Sequence, residues 1–221
     1  MNLLDVIGPV MIGPSSSHTA GAVRLGLLAA AILGEKPVKA NIALHGSFAQ
    51  TYKGHGTDMA LLSGLMGWLP DDARIPDATK YTKKAGLDYT FAKVNLGELA
   101  HPNTVRFLLE GENGTKCSVT GSSIGGGQVL VTDIDDFPVE LDGKLPGILV
   151  VHNDKPGVIA LVSGKLAEAK VNIAGMRVYR STKGGSATMI IECDQVVPDE
   201  ALKNIREIPA VESVRFVNNV L

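Results

Sequence analysis

The sequence predicts an α+β protein of two domains, and three observations carry that prediction. A chain of 221 residues is long enough for one large core or two small ones. Its last third alternates strand and helix patterns in the order βαββαβ. A composition of 45% hydrophobic and 20% charged residues is ordinary globular usage, which argues against disorder or a fibrous repeat.

The first 140 or so residues mix helix and strand signals. Thr19 to Leu33, rich in Ala and Leu, reads as a helix. After Lys36-Pro37, the run Val38, Ala40, Ile42 and Leu44 alternates with Lys39, Asn41, Ala43 and His45, the pattern of a half-buried strand. Asp58 to Met66 is a second helix, with Met59, Leu62 and Met66 expected on one face. A loop-rich stretch follows, holding Pro70, Asp71, Asp72, Pro76 and Asp77. Strands are expected near Tyr89-Thr90-Phe91, Val105 to Leu109, Cys117 to Thr120 and Gln128 to Val131. Asp136 to Pro146 reads as a linker, so the domains are expected at 1–143 and 147–221.

Beyond it, Gly147 to His152 is a strand and Asn153-Asp154-Lys155-Pro156-Gly157 a turn. Val158 to Ala169 has apolar residues Val158, Leu161, Val162 and Leu166 at helical spacing. Val171 to Tyr179 and Ala187 to Cys193 are strands joined through Thr182-Lys183-Gly184-Gly185, a hairpin signal. Pro198-Asp199-Glu200 opens a helix through Ile208, and Val211 to Val217 closes the unit. This order is the ferredoxin-like split βαβ arrangement, which implies no function by itself.

A net charge of −2 offers no handle for phosphate backbones or anionic lipid, so neither nucleic acid nor membrane is expected as a partner. No apolar run approaches the roughly 20 residues that span a bilayer. The start MNLLDVIGPVMIG lacks a basic leader region, and a cytoplasmic protein is expected. Cys117 and Cys193 are far apart, each in a strand-like stretch, where a thiol behaves as a small hydrophobe. Two separated cysteines cannot hold a cubane iron–sulfur cluster, and no metal site is expected in this chain.

Four polar clusters are candidates for chemistry. Gly13-Pro14-Ser15-Ser16-Ser17-His18-Thr19 precedes a helix, where free N–H groups and hydroxyls can bind a carboxylate; alternatively one Ser caps the helix and His18 is a bystander. Lys53-Gly54-His55-Gly56-Thr57-Asp58 sets His55 at a loop tip as a possible general base, with Thr57 or Asp58 capping the next helix; an idle loop histidine is the other reading. His101 and Asn103 flank Pro102, which biases the segment to extended geometry, so both side chains point one way and can grip an amino acid or satisfy neighbours. Gly121-Ser122-Ser123-Ile124-Gly125-Gly126-Gly127 reads as a loop whose bare backbone can line an anion pocket, or as a flexible hairpin.

The combination of GPSSSHTAGAVRLG at 13–26, GSFAQTYKGHGTD at 46–58, HPN at 101–103 and SSIGGG at 122–127 resembles the beta domain of bacterial iron–sulfur L-serine dehydratases. The N-terminal fold is expected to be similar to the allosteric substrate-binding domain of some phosphoglycerate dehydrogenases. Asn153 to Ile159, followed by Lys170-Val171-Asn172-Ile173, resembles an ACT domain over residues 147–221. Family members often carry a Glu where Pro102 stands, and Gly where Thr104 follows Asn103.

The resemblance implies a two-subunit enzyme that converts L-serine to pyruvate and ammonia. A separate alpha chain would supply the cysteines for a 4Fe–4S cluster. His55 falls on the family's candidate base, with His18 beside it as a second catalytic candidate. Ser15, Ser16, Ser17, Thr19, Thr57, Asp58, His101, Asn103, Ser122 and Ser123 are the implied substrate-binding set. Asn153, Asp154, Gly157 and Val158 are the implied effector contacts of the ACT domain, which also implies homodimer contacts. The competing expectation is a non-catalytic amino-acid-sensing regulatory subunit.

Overall fold

The computed structural model describes residues 9–220. The chain divides into two compact units that meet between Asp142 and Gly143.

The N-terminal unit is a six-stranded sheet with helices on one face. A single π-helical turn, Ser16–Ala20, runs into α1, Gly21–Leu33. Gly34 ends α1 in the left-handed conformation, its N–H returning to Ala30 O. Next come β1 (Pro37–Leu44), α2 (Gly46–Thr51), α3 (Thr57–Leu65) and α4 (Ala78–Ala85). The remaining strands are β2 (Asp88–Lys93), β3 (Thr104–Gly111), β4 (Lys116–Gly125), β5 (Gln128–Ile134) and β6 (Phe137–Leu141). Their order is β2-β1-β3-β4-β5-β6, with only β1 and β2 parallel. That pair is allowed because α2 to α4 form the crossover between them.

Alternation divides the sheet into two faces. Val105, Phe107, Val119, Val129 and Val131 are buried on the helix side, whereas Asn41, Arg106, Leu108 and Thr132 on the other face are exposed. α1 and α3 cross at Gly26 and Gly64; a Cβ on Gly64 would lie 2.0 Å from Val23 O, so only bare backbone permits this approach. The continuous helix Ser16–Leu33 is long and apolar enough to cross a membrane, contrary to the reading of the sequence, but 61% of it is buried inside the fold as a core helix.

The C-terminal unit contains β7 (Gly147–Asn153), α5 (Val158–Glu168), β8 (Ile173–Arg180), β9 (Ser186–Cys193), α6 (Asp199–Arg206) and β10 (Val211–Val217). Its antiparallel sheet has the order β10-β7-β9-β8, the βαββαβ arrangement expected. Val162 and Leu166 of α5 and Leu202 and Ile205 of α6 close over Ile148, Val150, Met189 and Ile191.

Several local expectations are corrected. Gly121 to Gly125 is not a loop but the end of β4, paired with β3 and β5. The linker region contains a strand, β6. Leu161 is 53% exposed and belongs outside the core. α3 is buried on most of its surface, through Ala60, Leu61, Leu62 and Leu65, instead of along a Met59–Leu62–Met66 stripe. Neither Thr57 nor Asp58 caps it: left-handed Gly56 occupies the cap position, and Asp58 Oδ1 accepts from Met59 N.

Candidate active site

The four polar segments, scattered over more than 100 residues, are brought together by the N-terminal unit. The first begins at Ser15, which precedes the π turn in extended geometry and whose Oγ accepts from His18 N at 3.3 Å. A π turn widens the helix by one residue and is frequent at functional sites. Here it buries His18, Thr19 and Ala20 together.

His18 joins the first segment to the second. Its Nε2 lies 3.2 Å from Ser47 Oγ, and its ring packs edge-on against Phe48 and His55 with centroids 5.2 and 4.8 Å away. Burial holds the His18 imidazole below its ordinary pKa, and the neighbouring His55 adds to the effect. His18 is therefore favoured in its neutral form. His55 lies exposed on the turn between α2 and α3, its N–H bonded to Thr51 O at 3.0 Å.

The second and third segments meet where Gly46, at φ +58°, passes Pro102. A Cβ on Gly46 would lie 2.5 Å from Pro102 O, so glycine is required for both space and conformation. Phe48 N donates to Pro102 O at 3.4 Å, and His45 N to Thr104 O at 3.0 Å. Ser123 N then donates to Asn103 O at 3.0 Å, joining the third segment to the fourth. The circuit closes because a Cβ on Gly21 would fall 2.1 Å from Ser123 Oγ, and because Arg24 Nη1 donates to Gly127 O at 2.6 Å.

Each of the four segments leaves one buried polar atom without a hydrogen-bond partner. These are Thr19 Oγ1, Thr57 Oγ1, Asn103 Oδ1 and Ser123 Oγ. A buried unpaired polar atom costs about 1–3 kcal/mol, which makes these four the candidate polar contacts of the four segments.

The other expected residues are placed differently. Ser16 and Ser17 are half-buried in the π turn. Ser122, adjacent to Ser123 in β4, points to the opposite face of the sheet, where its Oγ lies 2.7 Å from Thr104 Oγ1. His101 is exposed, its Nδ1 accepting from Asn103 N at 3.1 Å. Together with Thr104, these two line a cavity of about 430 Å³ on the helix-free face. Ser47 was not singled out from the sequence, because a serine inside an Ala- and aromatic-containing helix carries no signal of its own.

In the C-terminal unit, Asp154 Oδ2 accepts from Gly184 N at 3.0 Å and from Arg180 Nη1 at 3.1 Å. These bonds, the Gly184 N–H foremost, hold its carboxyl below the usual value and tie the first turn to the β8–β9 hairpin. Val158 is buried in the core, Gly157 is exposed with φ +92°, and Asn153 N bonds to Ala210 O. Neither cysteine forms a disulfide and both are buried, and burial with Asp194 and Glu192 nearby pushes the Cys193 thiol up to about 11. Among the described residues, no group of three or more His, Cys, Asp or Glu side chains is placed to hold a metal. These residues do not fit an iron–sulfur cluster.

Comparison with known proteins accounts for both units. Residues 3–134 match the family model "Serine dehydratase beta chain", and residues 147–210 match "ACT domain". The chain is 43% identical over 213 residues to a probable L-serine dehydratase beta chain of Bacillus subtilis, covering 96% of each. It is 37% identical to the L-serine dehydratase beta chain of Peptoniphilus asaccharolyticus, again over 96% of each chain. A D-3-phosphoglycerate dehydrogenase of Synechocystis is 25% identical over 89% of this chain, which spans 35% of that longer protein.

Proposed function

The chain belongs to the serine dehydratase beta-chain family and carries a C-terminal ACT domain, and from that premise we propose that it contributes half of an L-serine dehydratase active site. The partner is an alpha chain whose cysteines hold a 4Fe–4S cluster, since the two buried thiols of this chain are unsuited to that task. The enzyme is a cytoplasmic lyase acting in amino-acid metabolism, including the supply of pyruvate for gluconeogenesis. Homodimer contacts through the ACT unit belong to the same reading; β8 is an edge strand of its sheet.

The observation that carries this reading is the set of four unpartnered polar atoms, one from each converging segment. The hydroxyls of Thr19, Thr57 and Ser123 can donate to a substrate carboxylate, and Asn103 Oδ1 can accept from its ammonium group. His55, exposed beside this set, takes the proton from the serine α-carbon. The electron pair so released forms the Cα–Cβ double bond as the Cβ–O bond breaks, and the hydroxyl leaves as water with the proton that His55 took up. The resulting aminoacrylate tautomerises to an imine, and water hydrolyses it to pyruvate and ammonia. His18, kept neutral by burial and held by Ser47, packs against His55 and fixes the position of its ring. Ser15 stabilises the turn carrying His18, while Ser16, Ser17 and Asp58 are given no substrate contact in this reading.

The test is pyruvate formation from L-serine by the chain mixed anaerobically with its alpha chain. His55→Ala should reduce turnover by about 10²–10⁴-fold, the usual worth of a general base. Unchanged turnover would remove His55 from the mechanism. A sensing subunit would instead bind L-serine alone and leave turnover indifferent to every change in the four segments.

A further inference from the structure

β2 is an outer strand of the six-stranded sheet, hydrogen-bonded within it to β1 alone. Its register sets Tyr89, Phe91 and Lys93 beside Ala40, Ile42 and Leu44, on the side of the sheet that carries the helices. Cover is incomplete at this edge, where Tyr89 and Phe91 are only half-buried. Tyr52, at the end of α2, extends the row: its ring stacks on Phe91 with centroids 5.9 Å apart, and Phe91 meets Tyr89 edge-on at 5.8 Å. Exposed Lys53 and Lys93 bring their ammonium groups to 5.9 and 6.0 Å from the same Tyr52 ring.

A second aromatic cluster in this unit shows what is unusual here. Arg74 lies over Trp68 and Tyr81, but it is paired with Asp72, which balances its charge. Among the described residues, no carboxylate is within ion-pair distance of Lys53 or Lys93. A single lysine on an edge strand ordinarily guards it against pairing. Two lysines from different elements, gathered on one ring without a counter-ion, leave a place for an acidic group from another molecule. The outer N–H and C=O groups of β2 are those of an open edge, which can take up a further strand, and partly exposed tyrosine and phenylalanine rings are the residues that interfaces cover.

The row is tied to the turn that carries His55. Thr57 N donates to Tyr52 O at 2.8 Å, Gly56 N to Lys53 O at 3.4 Å and His55 N to Thr51 O at 3.0 Å. On the reading that an alpha chain completes the site of His55, we propose that the alpha chain docks along β2. An extended segment of it pairs with the strand edge and covers Tyr52, Phe91 and Tyr89, and a carboxylate on that segment sits between Lys53 and Lys93. Seating this segment holds Tyr52 in place, and through it the turn that presents His55.

The experiment measures the Kd between the full chain and its anaerobically reconstituted alpha chain, at low and at raised salt. Reversing both charges, Lys53→Glu with Lys93→Glu, should weaken association about tenfold or more and make it less sensitive to salt. Phe91→Ala should weaken it by a similar factor. Lys84→Glu, an equally exposed lysine beside Tyr81, should leave it unchanged. Both reversed lysines are exposed, so the double variant keeps the test valid if Phe91→Ala fails to fold. Wild-type affinity in the double variant would overturn the proposal, and equal weakening by Lys84→Glu would reduce it to a general charge effect and overturn it too. Self-association of the chain that the double variant abolishes would give the edge to a second copy instead. Failure of the wild-type chain to bind any alpha chain would sink this docking surface together with the proposed function, whereas wild-type binding that ignores the lysines sinks the docking surface alone.

Discussion

The two units differ most in what they leave unsatisfied. Among the described residues, the C-terminal unit has one buried side-chain atom without a partner, His152 Nε2, whereas the N-terminal unit has such atoms on Thr19, Arg24, Thr57, Asn103, Ser123 and Asp133. The C-terminal core is an apolar layer between two helices and a sheet. The N-terminal unit is equally well packed around Phe48 and Phe107, yet it keeps polar atoms pointing into its interior. A fold under pressure for stability alone would replace or pair them. Four of the six, on Thr19, Thr57, Asn103 and Ser123, belong to the four polar segments on which the proposed function rests.

The largest expected effect probes the apolar side of this contrast. Leu166 is fully buried in the C-terminal core, so Leu166→Ala should lower stability by about 2–5 kcal/mol, measured by urea unfolding. Next comes the Gly46–Pro102 crossing. Gly46→Ala must accept a left-handed backbone and a Cβ 2.5 Å from Pro102 O, which should cost about 1–3 kcal/mol and also reduce turnover by shifting Ser47. Opposite behaviour is expected at an unpartnered hydroxyl. Thr57→Val keeps the shape and removes the unpaired oxygen, so stability should stay within about 1 kcal/mol of wild type or rise, while turnover falls. If Thr57→Val destabilises as much as Leu166→Ala, the contrast between the units is lost.

The C-terminal unit was legible because its signals agree. Ile148 and Val150 alternate toward the helices, Gly184 sits in the hairpin turn, and Pro198 precedes a helix with acidic residues in its first turn. Only Leu161 misled, since apolar spacing on a helix cannot tell a core position from an exposed one. In the N-terminal unit the signals conflict. Gly121 to Gly125 has the composition of a loop, but pairing with β3 and β5 on both sides overrides its poor strand propensity. β6 was hidden because Pro138 argues against a strand; it is tolerated here because β6 lies at the sheet edge. The polar motifs were visible as residue types. Which of them share a side of the sheet was not, because Ser122 and Ser123 diverge only once that segment is known to be a strand.

The smallest effect concerns His18, whose titration is shifted by the fold. Its folded pKa lies below the ordinary 6.5 because burial, and then His55, disfavour the charged ring. As pH falls through the ordinary value, the unfolded chain takes up this proton first and the folded chain resists it. The unfolded state therefore binds more protons in the window between the two values, and stability declines as pH falls across it. Below the folded value the decline from this group stops. His18→Gln retains a polar group toward Ser47 but cannot titrate, so its stability should fall less between about pH 7 and about pH 5 than that of the wild type. The comparison is of slopes, so a uniform loss from imperfect packing does not obscure it. Equal slopes would mean that His18 is protonated as easily inside the fold as outside, and the neutral ring beside His55 would have to be abandoned.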